Sequence, residues 1–377
     1  MAKKVVILKY QLQNMGGLEK YTLRLANRFA EKRCDVTILT SGPVPGQHES
    51  FAVHSISDKK ALSVHGLRNF DLAAQQWLNT HSADVIFGME RNSFQTHYRA
   101  GNGVHAEYLK KRGSVESWWK RLSFRYNPLH RFLLKQEKKA YEDPGLQVLF
   151  TNSRMVAREI LDHYAVPPSR IRPIHNGVEW QEMAEDFAIS LQCRENTLAD
   201  LGLPLKPLQL LFAGHEYKRK GLLQLLQALA QIDTPFHLSV VGKDRNIEAF
   251  KKAAAMLGLA RKVTFFGPQP QIRKFLMAAD VVCIPSLYDP FANVTVEALA
   301  MGNFVVSSSY NGGSEVLENG TGTVIEHLDD PHSLCSSLKI AFKHPKTQLH
   351  AIRIRNSIAH LEFNNQLDKI IDATLQT

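Results

Sequence analysis

The sequence predicts an α/β protein of two doubly wound domains facing each other across a cleft, and three observations predict it. Short apolar runs alternate with helical patterns along most of the chain, which is how parallel sheets are built. A length of 377 residues exceeds one ordinary core and divides into two. The strand-helix alternation also starts afresh after Asp200 to Pro207, a stretch rich in Leu and Pro. We place an N-terminal domain at 1–174 and a C-terminal domain at 175–357, with the helical, polar tail 358–377 expected to pack back on the first. A cleft between two such domains is the usual place for a ligand.

In the first half, Lys4–Lys9 reads as a strand. The loop Asn14-Met15-Gly16-Gly17-Leu18-Glu19 then opens a helix carrying Leu18, Thr22, Leu25 and Phe29 at helical spacing. Val36–Leu39, Asp84–Phe87 and Gln147–Phe150 are further strands, and Asn152 or Ser153 caps a helix through Leu161. The second half repeats the grammar with strands at Leu208–Phe212, Phe236–Val241, Val263–Phe266 and Val281–Ile284. Helices at Leu222–Ala230, Ile247–Leu257 and Gln271–Ala278 separate them. A helix then leads through Met301 to Gly302, and Phe304-Val305-Val306 begins another strand.

The apolar fraction of 44% is that of a globular protein. No apolar run reaches the roughly 20 residues needed to span a bilayer. Lys3-Lys4 runs straight into Val5-Val6-Ile7-Leu8, a strand rather than a secretory segment, so a cytosolic protein is expected. Cys34, Cys193, Cys283 and Cys335 share no metal-ligand spacing and read as buried structural thiols. The net charge of +10 points to an anionic partner, whether nucleotide, nucleic acid or membrane surface.

Four stretches carry chemistry, with Ser286–Met301 at the centre. Asp289 lies in a loop leaving the carboxyl end of a strand, where open α/β sheets place ligands. Asn293 is the expected N-cap, the amides from Phe291 to Thr295 form an anion site, and Glu297 lies one turn further on. The loop 14–19 offers Gly16 and Gly17 to a bulky anion, although a tight turn explains the pair almost as well. Gly214-His215-Glu216-Tyr217-Lys218-Arg219-Lys220-Gly221 places Arg219 and Lys220 at another strand end, ready to stabilise a departing phosphate. A solvated basic turn is its alternative. In Gly101-Asn102-Gly103-Val104-His105-Ala106-Glu107 the irregular backbone precedes His105, which is either a site residue or simply a satisfied polar one.

The region Tyr108–Lys139 mixes Lys110, Lys111, Arg112, Lys120, Arg121, Arg125, Arg131, Lys135, Lys138 and Lys139 with Trp118, Trp119, Phe124, Tyr126, Phe132, Leu133 and Leu134. That mixture suits an anionic bilayer surface or single-stranded nucleic acid. A cationic helix with its aromatics turned to the core is the structural alternative.

Taken together, these residues resemble the retaining glycosyltransferases of family 4, which have the GT-B fold. The matching pieces are Gly16-Gly17, Thr151-Asn152-Ser153, His175-Asn176-Gly177-Val178, Arg219-Lys220-Gly221, Asp289 with Glu297, and Gly312-Gly313 with Glu315. They come in family order over nearly the whole chain. Gly101 to Tyr108 and the basic, aromatic region after it are most similar to bacterial lipopolysaccharide core glucosyltransferases, in which a comparable segment attaches the protein to the cytoplasmic leaflet.

The resemblance implies an N-terminal acceptor domain and a C-terminal nucleotide-sugar domain. It implies that Arg219 and Lys220 neutralise the donor diphosphate, that Glu297 holds the ribose hydroxyls and that Asp289 holds hydroxyls of the sugar. Backbone amides of Phe291, Ala292 and Asn293, and those of Gly16 and Gly17, would contact sugar and phosphate, with His105 beside the transferred sugar. Two departures stand out. The family more often has Glu at the position of Asp289, and the missing methylene shortens the reach by about 1.5 Å. Related core transferases often have Asp at the position of Asn102, and Asn102 cannot act as a base.

The expected protein is a metal-independent retaining transferase that needs no cofactor beyond its donor substrate, since no Asp-x-Asp metal motif occurs in the sequence. It moves a hexose, glucose first among them, from a UDP-sugar to a lipid-linked glycan such as the lipopolysaccharide inner core. It lies peripherally on the inner face of the cytoplasmic membrane, held there through 108–139, with no nucleic-acid partner. Its rivals are a sugar-nucleotide 2-epimerase of the same fold and a non-catalytic membrane-binding relative.

Overall fold

The computed structural model describes residues 2–12, 17–44, 46, 48–58 and 63–377. The chain forms two compact units, Met1–His175 with Gln366–Thr377, and Asn176–Asn365.

The first unit opens with β1 (Lys4–Leu8), α1 (Gly17–Glu31), β2 (Asp35–Ser41) and β3 (Ala52–Ser57). It continues through α2 (Val64–Thr80), β4 (Val85–Gly88) and β5 (His97–Arg99) to three helices, α3 (His105–Val115), α4 (Trp118–Tyr126) and α5 (Pro128–Glu142). β6 (Val148–Thr151), α6 (Arg154–His163) and β7 (Ile171–Pro173) complete it. The strands form one sheet in the order β3-β2-β1-β4-β5-β6-β7, with every pairing parallel. β1 reads as an unbroken apolar run because both of its faces are covered; Val5 to Leu8 are all buried. Ser153 is the cap of α6, its hydroxyl accepting from Val156 N–H at 3.2 Å, and that helix runs two residues beyond the Leu161 expected from the pattern.

The second unit begins with α7 (Ala184–Gln192) and α8 (Arg194–Asp200), followed by β8 (Leu208–Ala213), α9 (Leu222–Leu229) and β9 (Phe236–Val241). Next come α10 (Ile247–Met256), β10 (Val263–Gly267), α11 (Ile272–Ala278), β11 (Val281–Ile284) and α12 (Asn293–Ala300). β12 (Phe304–Ser308), β13 (Gly322–Ile325), α13 (Pro331–Ala341) and α14 (Gln348–Ser357) close the sheet and cover it. The strand order is β10-β9-β8-β11-β12-β13, again parallel throughout. One continuous core, including Leu210, Leu226, Val240, Val282, Leu299 and Val305, fills the unit.

The last helix, α15 (Phe363–Leu375), returns the chain to the first unit from Gln366. There Asp368 takes a bidentate fork from Arg28, at 2.9 and 2.6 Å. Residues 358–365 pack in the second unit, because Val178 exchanges backbone hydrogen bonds with Leu361 and Phe363 at 3.0 and 2.9 Å. Burial of all four thiols holds for Cys283 and Cys335 alone; Cys34 is half-buried and Cys193, at the junction of α7 and α8, is exposed. Among the described residues no cluster of three or more His, Cys, Asp or Glu could hold a metal, and no helix is long and apolar enough to cross a membrane.

Candidate active site

In each sheet the strand order reverses at one place, where neighbouring strands send their following loops to opposite sides and leave a crevice. In the second unit that place lies between β8 and β11. The loop after β8 holds Arg219 and Lys220, and the loop after β11 holds Asp289.

The two loops are locked by backbone contacts. Leu287 N–H donates to Arg219 O at 2.9 Å. Gly221 has φ +78°, and a Cβ there would stand 1.8 Å from Pro285 O; a glycine meets both the left-handed turn and the close approach. Tyr217 anchors the loop from below, its ring buried and its hydroxyl donating to Gly242 O at 2.8 Å. Tyr217 N–H donates to Asp244 Oδ2 at 2.7 Å.

This framework brings together predicted residues from loops 69 positions apart. Lys220 Nζ is paired directly with Asp289 Oδ2, and Arg219 Nη1 lies 3.7 Å from the same oxygen. Arg219 also donates to Tyr288 O at 3.2 Å and to Glu216 Oε2 at 2.8 Å. Asp289 is 7% exposed, and its backbone is clamped by Asp289 N–H to Tyr310 O and Gly312 N–H to Asp289 O, at 2.9 and 3.0 Å. The result is a fixed cluster of two cations around one buried carboxylate, Asp289, with the exposed Glu216 at its rim, and in its partly desolvated interior charge interactions are stronger than in open water.

The start of α12 is built differently from expectation. Ala292, not Asn293, occupies the N-cap position, and it makes no side-chain cap bond. Asn293 is the first helical residue, and its Oδ1 accepts from Asn176 Nδ2 at 2.7 Å. The backbone N–H of Ala292, expected to face a ligand, donates to Asn311 Oδ1 at 2.9 Å. Asn311 is fully buried and holds the region together. Its Oδ1 also accepts from Gly313 N–H at 3.0 Å, and its Nδ2 donates to Thr295 and Ser307 at 3.1 and 2.9 Å. Sequence reasoning missed it; the adjoining Gly312-Gly313 was the available signal. Phe291 is buried beside Ala292. Glu297, partly buried on α12, has its carboxyl raised to about 7, first by burial and then by Glu179, with Arg273 opposing.

In the first unit Gly16, with Asn14 and Met15, lies outside the described residues; Gly17 is the exposed first residue of α1. The crevice between β1 and β4 contains a pair that the sequence did not flag. Lys9, 3% exposed, lies 2.8 Å from Glu90 and 3.4 Å from Glu19, and Tyr10 N–H donates to Glu90 at 2.8 Å.

His105 opens α3, whose N-cap Val104 has no polar side chain to offer. Glu137 of α5 supplies the cap from 32 residues away. Its fully buried carboxylate accepts from His105 N–H at 2.8 and 2.9 Å and from Ala106 N–H at 3.3 Å. It accepts as well from Arg91 Nε at 2.8 Å and Tyr164 OH at 2.6 Å, so its charge is paired and hydrogen-bonded throughout. The His105 ring stands 3.1 Å from His130, Nε2 to Nδ1. Burial, then Arg91, lowers its pKa to about 4 against the pull of Glu137, which leaves the imidazole neutral at pH 7.

The basic, aromatic region is three helices, α3, α4 and α5, rather than one. Trp118, Trp119, Leu122 and Tyr126 are 55%, 66%, 47% and 67% exposed. At roughly 100° per residue these four share one face of α4, so they do not turn to the core.

Two parallel doubly wound units, each with one strand-order reversal, are the architecture of the GT-B fold. The chain matches Glycosyltransferase Family 4 over residues 15–182 and Glycosyl transferases group 1 over residues 194–356, and it belongs to the glycosyltransferases that join these two domains. It is 24% identical over 370 residues to the D-inositol 3-phosphate glycosyltransferase of Corynebacterium glutamicum, covering 89% of this chain and 85% of that protein. An uncharacterized glycosyltransferase of Methanocaldococcus jannaschii is 27% identical over 190 residues, 49% of this chain and 48%, about half, of that protein's length.

Among solved structures, WaaG, a glycosyltransferase involved in lipopolysaccharide biosynthesis, superposes with a TM-score of 0.78 at 21% identity, over 99% of this chain and 100% of its own. Anabaena HepE in complex with UDP-glucose superposes with a TM-score of 0.70 at 17% identity, over 99% of both chains. At such identities these two likenesses concern the fold.

Proposed function

We propose that this glycosyltransferase moves a hexose, glucose in the first instance, from a UDP-sugar to a lipid-linked glycan of the lipopolysaccharide inner-core kind, with retention at the anomeric carbon. The observation that carries the reading is the Arg219–Lys220–Asp289 cluster at the reversal of the second sheet. A UDP-sugar supplies a diphosphate leaving group, and two held cations lower the barrier to its departure. No Asp-x-Asp motif occurs in the sequence, so in this reading the basic pair neutralises the diphosphate without a metal ion.

The bond from the anomeric carbon to the diphosphate oxygen breaks, and the acceptor hydroxyl bonds to that carbon from the same face. The acceptor proton passes to the departing diphosphate oxygen. When donor binds, Lys220 turns from Asp289 to the diphosphate, and the freed carboxylate of Asp289 accepts from sugar hydroxyls. Glu297 accepts from the ribose hydroxyls. The backbone amides of Phe291 and Asn293, with those of Gly16 and Gly17, contact phosphate and sugar, and Ala292 fixes the loop through Asn311. The neutral His105 ring hydrogen-bonds the transferred sugar.

The UDP-glucose complex of HepE and the involvement of WaaG in lipopolysaccharide biosynthesis support the donor and acceptor choices. The exposed aromatic face of α4 among basic residues supports attachment to the inner face of the cytoplasmic membrane. The D-inositol 3-phosphate relatives favour a second reading, in which the acceptor is a soluble phosphorylated polyol. A screen of radiolabelled UDP-sugars against truncated lipopolysaccharide and against inositol phosphate separates the two. Label in the lipid fraction from UDP-glucose is expected; label only in inositol phosphate supports the second reading. UDP release without any acceptor favours an epimerase, and failure of every UDP-sugar to raise the melting temperature favours a non-catalytic relative.

A further inference from the structure

We infer that Glu216 is a positioning residue of the donor site: its carboxylate holds the Arg219 guanidinium by one edge, so that Nη2 is left for the diphosphate before any donor arrives. This rests on the reading that Arg219 and Lys220 meet the diphosphate of a UDP-sugar. The backbone gives the first observation. Glu216 has φ +59°, and among the described residues Arg33 is the only other non-glycine with a positive φ. Glycine takes this left-handed conformation freely, whereas a glutamate is strained in it. Both backbone groups hold the turn: Glu216 N–H donates to Lys243 O, and Glu216 O accepts from Lys220 N–H, each at 3.1 Å. A glycine would make the same two bonds without the strain, so the side chain is what the glutamate adds.

The carboxylate reaches Arg219, whose Nε donates to Glu216 Oε2 at 2.8 Å. Arg219 Nη1 donates to Tyr288 O at 3.2 Å, and Arg219 O accepts from Leu287 N–H at 2.9 Å. The arginine is thus tied at two guanidinium nitrogens and at its backbone, while Nη2 makes no hydrogen bond among the described residues. A planar fork held in this way loses little freedom when it meets phosphate oxygens. The two cations differ in readiness. Lys220 is engaged with Asp289 and has to turn; Arg219 does not. Stability does not explain the pair, because the Glu216 and Arg219 side chains are 67% and 30% exposed and such surface ion pairs contribute little. Nor does charge, since a carboxylate beside a diphosphate opposes its binding. Position and charge therefore predict opposite signs when Glu216 is replaced.

The test is isothermal titration of the protein with UDP, for the parent, Glu216→Gly and Glu216→Gln, with melting temperatures recorded beside it. Glu216→Gly is expected to weaken UDP binding about tenfold without lowering the melting temperature, since glycine suits the turn. Glu216→Asn, one methylene shorter and tolerant of the turn, takes its place if the glycine variant melts early. Glu216→Gln keeps an oxygen that can accept from Arg219 Nε and is expected to lose only about threefold. The Nε–H signal of Arg219, assigned in the heteronuclear NMR spectrum by its loss in Arg219→Lys, reads the hold itself. It is expected to be protected from solvent exchange in the UDP-free parent and to exchange about tenfold faster in Glu216→Gly. UDP binding that is unchanged or tighter in Glu216→Gly overturns the inference. So does equal loss in the Gly and Gln variants, which an oxygen still able to accept should prevent. An Nε–H signal that exchanges equally fast in the parent and in Glu216→Gly overturns it too. A parent that binds no UDP overturns the donor-site reading and this inference with it. If the parent binds UDP, Lys220→Ala loses it and Glu216→Gly does not, this inference alone falls.

Discussion

At Glu297 the fold holds a carboxyl that resists ionisation, because burial and the charge of Glu179 disfavour its anion. The native group, at about 7, keeps its proton above the ordinary 4.5. Between these values the native state binds more protons than the unfolded chain, so this residue lowers stability as pH rises through that window. Glu297→Gln is expected to raise the melting temperature at pH 8 by about 2–4 °C and to leave it unchanged near pH 4. The same variant is expected to weaken UDP binding about tenfold, as a residue kept for ligand rather than for stability would. Thermal scans at the two pH values with a UDP titration check both. Single residues were legible where chemistry is local. Arg219, Lys220 and Asp289 stand out by type and by position after strands. Asn311 and Glu137 did not, because each is defined by partners on other elements.

The contrast between α3 and α4 is one of elements. The start of α3 depends on a carboxylate borrowed from α5, so Glu137→Gln replaces a paired charge by an amide that cannot accept from all the same donors and leaves half-buried Arg91 without its counter-ion. A loss of about 3–5 kcal/mol is expected in chemical denaturation, with the environment of His105 altered in its NMR titration. In α4, by contrast, Trp118, Trp119, Leu122 and Tyr126 are already outside. The protein is expected to bind anionic vesicles in a salt-sensitive manner, and Trp118→Ala with Trp119→Ala to weaken that binding about tenfold or more. Equal binding to neutral vesicles, or no effect of the double substitution, contradicts a membrane role for this face. The basic-aromatic mixture was readable in sequence, but its division into three helices was not, because Ser117 and Asn127 interrupt a pattern that remains helical on both sides.

For the whole molecule, two doubly wound units were legible from the alternation of strands and helices alone. The strands left unread were His97–Arg99 and Ile171–Pro173, too short for any periodicity, and Ala52–Ser57 and Gly322–Ile325, whose polar or small residues suit a sheet margin. What no local pattern carries is the strand order. The order β10-β9-β8-β11-β12-β13 places the loops after β8 and β11 at one crevice, and that joins Lys220 to Asp289. The central claim is that this crevice stabilises a departing diphosphate. Its most direct measurement is the turnover of UDP-sugar and lipid acceptor by Lys220→Ala at saturating substrate, with the melting temperature recorded beside it. Turnover is expected to fall by about two to three orders of magnitude, with the protein still folded. Turnover within about twofold of the parent's, well below the factor of ten that 1.4 kcal/mol represents, would contradict the claim.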